Sequence, residues 1–270
     1  MRERIWLHVG SHLRFYRRSR IVLAVGLVIL GFWLLGVAPM LAGGTAGDRF
    51  NKLRALAEQI TSLGWFLSAG LGLYVTSSHL RSRSLQVILT RPGSPQLWLA
   101  SVFVSALLVA AAIQAAGAVV TFAFSLAWDV PYQIGFLYLA IDAVFEAAIA
   151  IAFLTTLGAV VHPVVALLLA ILFNEATFGS LRFGLSLMAA QSPQSGFLGV
   201  ARTAVVWIHE ALPMLDPFST QTAGVSSSLR VTAGDWGYLG ATALYALAVV
   251  AICFLCSDLA LRRRSFASTT

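Results

Sequence analysis

Lysine is almost missing from this chain. Lys52 is the single one, and the rest of its eighteen basic residues are arginine. Charge of either sign is scarce, at 11% of 270 residues, where a soluble domain carries about 25%. No GxxxxGK[ST] run is present, and Lys52 falls in a loop expected to be external. The chain therefore cannot cradle ATP phosphates by that route. It has no GxSxG, no HExxH, and no second histidine near His209-Glu210, so the usual membrane hydrolase chemistries have no residues to carry them. RNP, zinc-finger and helix-turn-helix patterns are absent too. The formal charge of +7 is read as topology and anionic headgroups, with no nucleic-acid partner. The two cysteines, Cys253 and Cys256, form a Cys-x-x-Cys pair in the last apolar run. With no other Cys or nearby His, they are read as small packing residues rather than a redox or metal pair. The chain is not expected to be an enzyme, and neither a cofactor nor a metal is expected in it.

What is abundant is apolar surface. Hydrophobic residues make up 59% of the chain, and the mean hydropathy is +0.84. Several apolar runs reach the roughly 20 residues that cross a bilayer as a helix. Ten-residue alternating segments, the mark of a membrane barrel, are absent. No internal repeat or low-complexity stretch is found. The expected class is all-α, a polytopic membrane protein with six transmembrane helices. The spans are expected at 21–41, 58–78, 96–127, 133–161, from 163 to about 178, and 236–261. Gly64, Ser68 and Gly72 make a small-residue ridge along the second span, where another helix can approach closely; chance is the even alternative. Trp98 and Trp128 sit near the two ends of the third span, as interfacial anchors do. Residues 197–208 are apolar but too short to span, so short external or re-entrant helices are expected across about 179–233.

Residues 1–20 form a separate unit ahead of a single transmembrane domain at 21–270. At 100° per residue, Ile5, Trp6, Val9, Leu13 and Tyr16 share an arc of about 100°, with Arg14 and Arg18 turned away. This predicts an amphipathic helix in the membrane interface, arginines toward lipid phosphates. His8 and His12 have a metal-compatible i,i+4 spacing, but without a carboxylate or thiol partner they are read as a solvated pair.

Charge fixes the expected orientation. Twelve of the eighteen basic residues fall at one side: six before the first span, three at 81–91 and three in Arg262-Arg263-Arg264. Asp48, Asp129, Glu210, Asp216 and Asp235 fall at the other. The positive-inside rule then puts both termini in the cytoplasm, and the plasma (inner) membrane is the expected location.

The stretch His79 to Trp98, HLRSRSLQVILTRPGSPQLW, is a basic island between two apolar runs. Arg81, Arg83 and Arg91 surround a short apolar segment that includes Leu85, Ile88 and Leu89. Pro92 ends any helix there, because it lacks an N–H and restricts its neighbour. The reading is a short helix at the inner surface, of two turns at most. On charge and length alone, an ordinary cytoplasmic loop whose arginines only fix topology is the favoured reading.

Ile88-Leu89-Thr90-Arg91-Pro92-Gly93-Ser94-Pro95 resembles the cytoplasmic loop after the second span of ABC-2-type transporter permeases. That loop typically reads Leu-Leu-Ser/Thr-x-Pro-x-Ser/Thr. The chain departs from the pattern upstream: Arg83 and Ser84 stand where Gly-Thr is usual, His79 and Arg81 occupy an acidic region, and Gln86 replaces a frequent Glu. The elbow-like first helix and Leu212-Pro213-Met214-Leu215-Asp216-Pro217-Phe218 before the last span are similar to the family as well. The resemblance implies a coupling helix (Arg81, Arg83, Leu85, Gln86, Ile88, Leu89, Arg91, Pro92) seated in a separate cytoplasmic ATPase. It also implies a dimer of permeases with two ATPase copies, and ATP and Mg held by the partner. It implies a path lined largely by the first, second and fifth spans, with export as the usual direction.

Asp142, Glu146, Glu175 and Arg182 fall within or near spans, where a charge should face protein or water. Asp142 and Glu146 share one helix face at i,i+4, and Arg182 is placed to balance the acids. An internal ion-pair network is the favoured reading; a proton relay or polar substrate path is the alternative. The functions that follow are an ABC-2-type permease, a proton-coupled secondary carrier using Asp142, Glu146 and Glu175, or a membrane-complex assembly subunit.

Overall fold

The computed structural model describes residues 2–20, 46–81, 94–162 and 217–267, with isolated positions between them. The helices are α1 (Arg2–Arg18), α2 (Ala46–Arg81), α3 (Ser94–Ala127), α4 (Gly135–Val160), α5 (Ser219–Ser228) and α6 (Ala233–Ala267). No strand occurs among the described residues. Three helices are long and apolar enough to cross a membrane: Gln96–Ala127 in α3, Gly135–Val160 in α4 and Ala233–Leu261 in α6. These match the third, fourth and sixth expected spans. The second expected span lies in α2, which is helical throughout but does not reach the same apolarity. From Thr61 to Ser78 it is diluted by Ser62, Gly64, Ser68, Gly70, Gly72, Thr76 and Ser77. Of the expected spans at 21–41 and from 163 to 178 only isolated positions are described, among them Ala166, which is buried in the core that α2, α3 and α4 share.

The bundle is organised around α4. Of its most apolar stretch 61% is buried within the protein, against 33% for α3 and 28% for α6. Its inward face is mostly small: Ala143, Ala147, Ala150 and Gly158 let α2 and α3 come close. The small-residue ridge of α2 lies at this contact. A Cβ on Gly72 would sit 3.0 Å from Thr155 Cγ2 and 3.3 Å from Ile151 Cγ2, and Gly64 faces Gln114 of α3. Ser68 is wholly buried and donates to the Gly64 carbonyl at 2.7 Å. The ridge is therefore a packing surface, which decides between the two readings of it. On the far side of α4, Ile149 and Ala152 meet Ala246, Val249 and Cys253 of α6. Thr156 joins Ser257 at 2.8 Å and donates to the Cys253 carbonyl at 3.1 Å. Cys253 is buried and Cys256 exposed, both free thiols.

Three element boundaries differ from expectation for local reasons. The residues from Ala46 to Ala57, expected as an outer loop, already form α2. Leu53, Leu56, Ala57 and Ile60 bury one face at i, i+3, i+4 and i+7, and Asp48 and Lys52 pair across one turn at 3.2 Å. At the other end, α3 begins inside the Pro-Gly-Ser-Pro breaker, since Pro95 is tolerated in a first turn whose N–H groups have no helical partner. And α6 carries Arg262-Arg263-Arg264 on its own last turns rather than ending before them.

The turn between α3 and α4, at Asp129-Val130-Pro131, is tight. Asp129 is left-handed at φ 55°. Its N–H donates to Leu126 at 3.3 Å, and that of Val130 donates to Ser125 at 2.9 Å. This is a Schellman end with Asp in the place glycine usually takes.

Candidate functional site

One group of interacting polar side chains lies at each end of the bundle. At the end where α4 begins, α5 lies over the bundle. Val225 and Leu229 of α5 are buried against Leu53, Leu56, Phe136 and Tyr138. Leu229 closes α5 in the left-handed region at φ 52°, a conformation that costs an L-residue about 1–2 kcal/mol. Two contacts hold it there: its side chain is wholly buried, and its carbonyl accepts the Gly135 N–H at 3.1 Å. The other face of α5 reaches α2. Ser226 donates to Glu58 Oε1 at 2.5 Å, Arg54 holds the same carboxylate at 3.1 Å, and Arg54 Nη1 donates to the Ser227 carbonyl at 3.5 Å. Such exposed ion pairs contribute little alone; here they add a rim around a buried apolar contact.

Beneath α5 lies Asp142, two turns into α4 and only 2% exposed. The Thr222 hydroxyl of α5 donates to Asp142 Oδ2 over a long 3.4 Å. Glu146 follows one turn along, half-buried. The structure thus brings Asp142 beneath the short helix of the insertion. Glu175 and Arg182 lie outside the described residues. Thr222→Val removes one long hydrogen bond while keeping the shape. It is expected to cost about 1 kcal/mol, read as a drop of a few degrees in detergent melting. A drop many times larger would mean that Thr222 does more than this contact.

At the opposite end, α1 docks on α3. The buried line is Val9, His12 and Tyr16, with Val9 1% and His12 4% exposed. His12 Nε2 lies 3.1 Å from Ser101 Oγ, and the Tyr16 hydroxyl 3.2 Å from Ser105 Oγ. Both serines spend their single proton on carbonyls of their own helix, Trp98 and Val102, at 2.7 and 2.8 Å. So the serine oxygens accept, and His12 donates from Nε2 while Tyr16 donates its hydroxyl. Burial pushes the Tyr16 phenol up to about 12, against the smaller opposing effect of Ser105. It stays neutral, hence a donor, across the physiological range. Phe15 stacks on Tyr74 of α2 at 5.8 Å.

This corrects the expected interfacial face. Of the five-residue arc, Trp6 is 54% and Leu13 37% exposed, while Val9 and Tyr16 face the bundle. The line inside is completed by His12, not a solvated partner of His8. An arc drawn through apolar side chains alone cannot find a histidine whose N–H is met by a serine one helix away. Trp98 is likewise buried, with Tyr16, Val75, Leu99, Val102 and Leu261 around it, and is not a lipid-facing anchor.

The segment resembling a coupling helix leaves the bundle at this same end. Arg81 closes α2 and Ser94 opens α3. Arg83, Leu85, Gln86, Ile88, Leu89, Arg91 and Pro92 lie outside the described residues. No group of three or more metal-ligating side chains occurs among the described residues.

Two ties escaped the sequence reading. The Thr232-x-x-Asp235 spacing is a capping signal, and Asp235 Oδ2 accepts the Thr232 N–H at 2.6 Å and its hydroxyl at 2.7 Å. Gln114, 3% exposed on α3, donates to the Thr61 carbonyl of α2 at 3.2 Å. The first was visible as a pattern before an apolar run. The second had no signal, because a lone Gln in a span does not name its partner.

No family model matches the chain, and no curated protein matches it.

Proposed function

We propose that the chain is the transmembrane subunit of an ABC-2-type transporter. It has six spans, lies in the plasma membrane with both termini in the cytoplasm, and pairs with a second permease copy. Two copies of a separate ATPase, which hold ATP and Mg, drive it through the 82–93 segment. Most permeases of this kind export, and export is the direction proposed.

One observation supports this most. The arginine-bearing end of α1, the close of α2, the opening of α3 and the arginine-bearing end of α6 meet around Tyr16, Val75, Trp98 and Leu261. The 82–93 segment, with its coupling-like Ile88 to Pro92, leaves from that gathering. Asp48, Glu58, Asp129 and Asp235 belong to the other end. A membrane with a negative inner surface favours the arginine end in the cytoplasm.

A test of the topology uses Thr45→Cys, Ser227→Cys and Ser268→Cys. The first two should react with an impermeant thiol reagent added to intact cells, and the third should not. Reaction of Ser268→Cys from outside would overturn the orientation.

A second reading, a proton-coupled carrier, draws on the burial of Asp142 on the central helix. The two separate cleanly. Transport by the permease stops when ATP is depleted with the proton gradient held. Transport by the carrier stops when the gradient is collapsed with ATP held.

A further inference from the structure

Where α2, α3 and α4 meet beside the first turns of α4, they leave a half-enclosed cavity of about 10 Å³. Small residues make the space: Ala57 on α2, Gly117 and Ala118 on α3, and Ala140 on α4. Three polar side chains line it, Thr61, Gln114 and Thr121. One water molecule needs about 10–15 Å³ of such space and roughly two to four polar partners.

The partners are there, and they share one chemical need. Gln114 is 3% exposed. Its Nε2 donates to the Thr61 carbonyl at 3.2 Å. No described residue donates to its Oε1, and a buried amide oxygen left unmet is costly. Thr61 spends its hydroxyl proton on the Ala57 carbonyl at 3.0 Å. Thr121 spends its own on the Ala118 carbonyl at 2.9 Å. Both hydroxyl oxygens can therefore only accept. Thr121 already has the Tyr132 hydroxyl on it, so Thr61 keeps the greater free capacity. The cavity is lined by oxygens that want a donor.

Two occupants suit such oxygens, a water or a small cation. No lining residue is charged, and a cation taken out of water without a counter-charge is costly. An apolar molecule would leave the Gln114 oxygen unmet, and the space is too small for one.

We propose that one water molecule is bound here as a fixed part of the bundle. It donates one proton to Gln114 Oε1 of α3 and the other to Thr61 Oγ1 of α2. The water supplies the partner that the packed helices do not give Gln114, and it ties α2 to α3 a second time beside the Gln114–Thr61 bond. The site belongs to the helix packing and depends on no ATPase and no direction of transport.

The experiment is X-ray radiolysis of the full chain in lipid nanodiscs, read by mass spectrometry. The beam makes hydroxyl radicals from water where it lies, so a buried water marks the side chains against it. Leu139 lines the cavity and is 7% exposed, while Leu154 of the same helix is 4% exposed and lies outside it. Leu139 should be oxidised roughly fivefold more than Leu154, the factor carried by one net hydrogen bond. Gln114→Leu removes the amide acceptor at similar volume and should bring Leu139 down to the level of Leu154. Replacing sodium and potassium by N-methylglucamine should change neither residue. Equal oxidation of the two leucines in the unaltered chain would overturn the proposal, because the cavity would be dry. Undiminished oxidation of Leu139 in a folded Gln114→Leu chain would also overturn it, since Gln114 would not be what holds the water. Loss of Leu139 oxidation without small cations would put a hydrated cation there instead. The first comparison needs no variant, so misfolding of a variant does not protect the idea.

Discussion

Leu89→Asp is expected to abolish co-purification of an ATPase and all ATP-driven transport, while expression and detergent melting stay near the unaltered chain. Leu85, Ile88 and Leu89 fall at i, i+3 and i+4, one face of a two-turn helix. Seated in a groove of a soluble partner, that face would be dry. A carboxylate there must be buried charged, at a cost of several kcal/mol, or must neutralise or force the contact open. Among the described residues, the cores that hold the bundle are built from other parts of the chain. Val75 and Trp98, the nearest buried apolar residues described on either side, pack against Tyr16, Val102 and Leu261. Arg83→Ala changes the rim of the contact instead. It should weaken binding less, and more strongly at low salt, because an exposed charge pair is screened. The measurement is a pull-down at two salt concentrations beside a transport assay. Full binding and transport by Leu89→Asp would return the segment to a loop that only fixes topology. It would also remove the main support for the permease reading.

Helices that are apolar all round were legible before the structure. α3, α4 and α6 stand within a few residues of the expected spans because nothing but a membrane or a deep core accommodates so much unbroken apolar surface. α2 was harder. Its Ser, Thr and Gly residues make it a poor span by apolarity and a good partner for close helix contact, and these two properties share one cause. Its first three turns were missed although the spacing of Leu53, Leu56, Ala57 and Ile60 was visible. Charge at Asp48, Arg49, Lys52 and Arg54 had marked them as loop. That charge is the outward face of a helix whose inward face is core.

Side-chain partners across elements were mostly not legible. His12 and Ser101, or Thr222 and Asp142, are separated by 89 and 80 residues. Neither residue type specifies its partner, and only the packed bundle brings them together. The i,i+4 placement of Asp142 and Glu146 was legible, being a property of one helix. That Asp142 would meet a short helix from a segment 80 residues later was not. The insertion was expected to hold short helices, but an isolated ten-residue helix has no stability of its own to announce it.

Gly135→Ala is expected to destabilise the protein by about 2–3 kcal/mol, although alanine is the better helix former. The two effects oppose, and their sizes decide. Gly135 opens α4 in helical conformation, so alanine should gain up to about 1 kcal/mol in helix propensity. But a Cβ at this position would fall on the carbonyl and Cα of Leu229. These are backbone atoms, and they cannot swing aside as the end of a side chain can. Relief requires α5 to lift, which breaks the hydrogen bond from the Gly135 N–H to Leu229 and uncovers Val225 and Leu229. Overpacking costs about 1–3 kcal/mol, and a buried donor left unmet about as much again, so loss outweighs propensity. The contact with Gly135 and its burial help hold Leu229 in a left-handed conformation, beside its own N–H to the Val225 carbonyl, so it should relax when α5 lifts. A cysteine at Val225, 2% exposed in the intact fold, should then react much faster with a water-soluble thiol reagent in the Gly135→Ala background. Gly224→Ala is the control. It lies in the same short helix with nothing within 4 Å of its Cβ, so propensity acts there without a clash, and melting should rise slightly. A Gly135→Ala chain that melts as high as the Gly224→Ala chain, with Val225→Cys still protected, would mean that α5 is not clamped on α4 at this point.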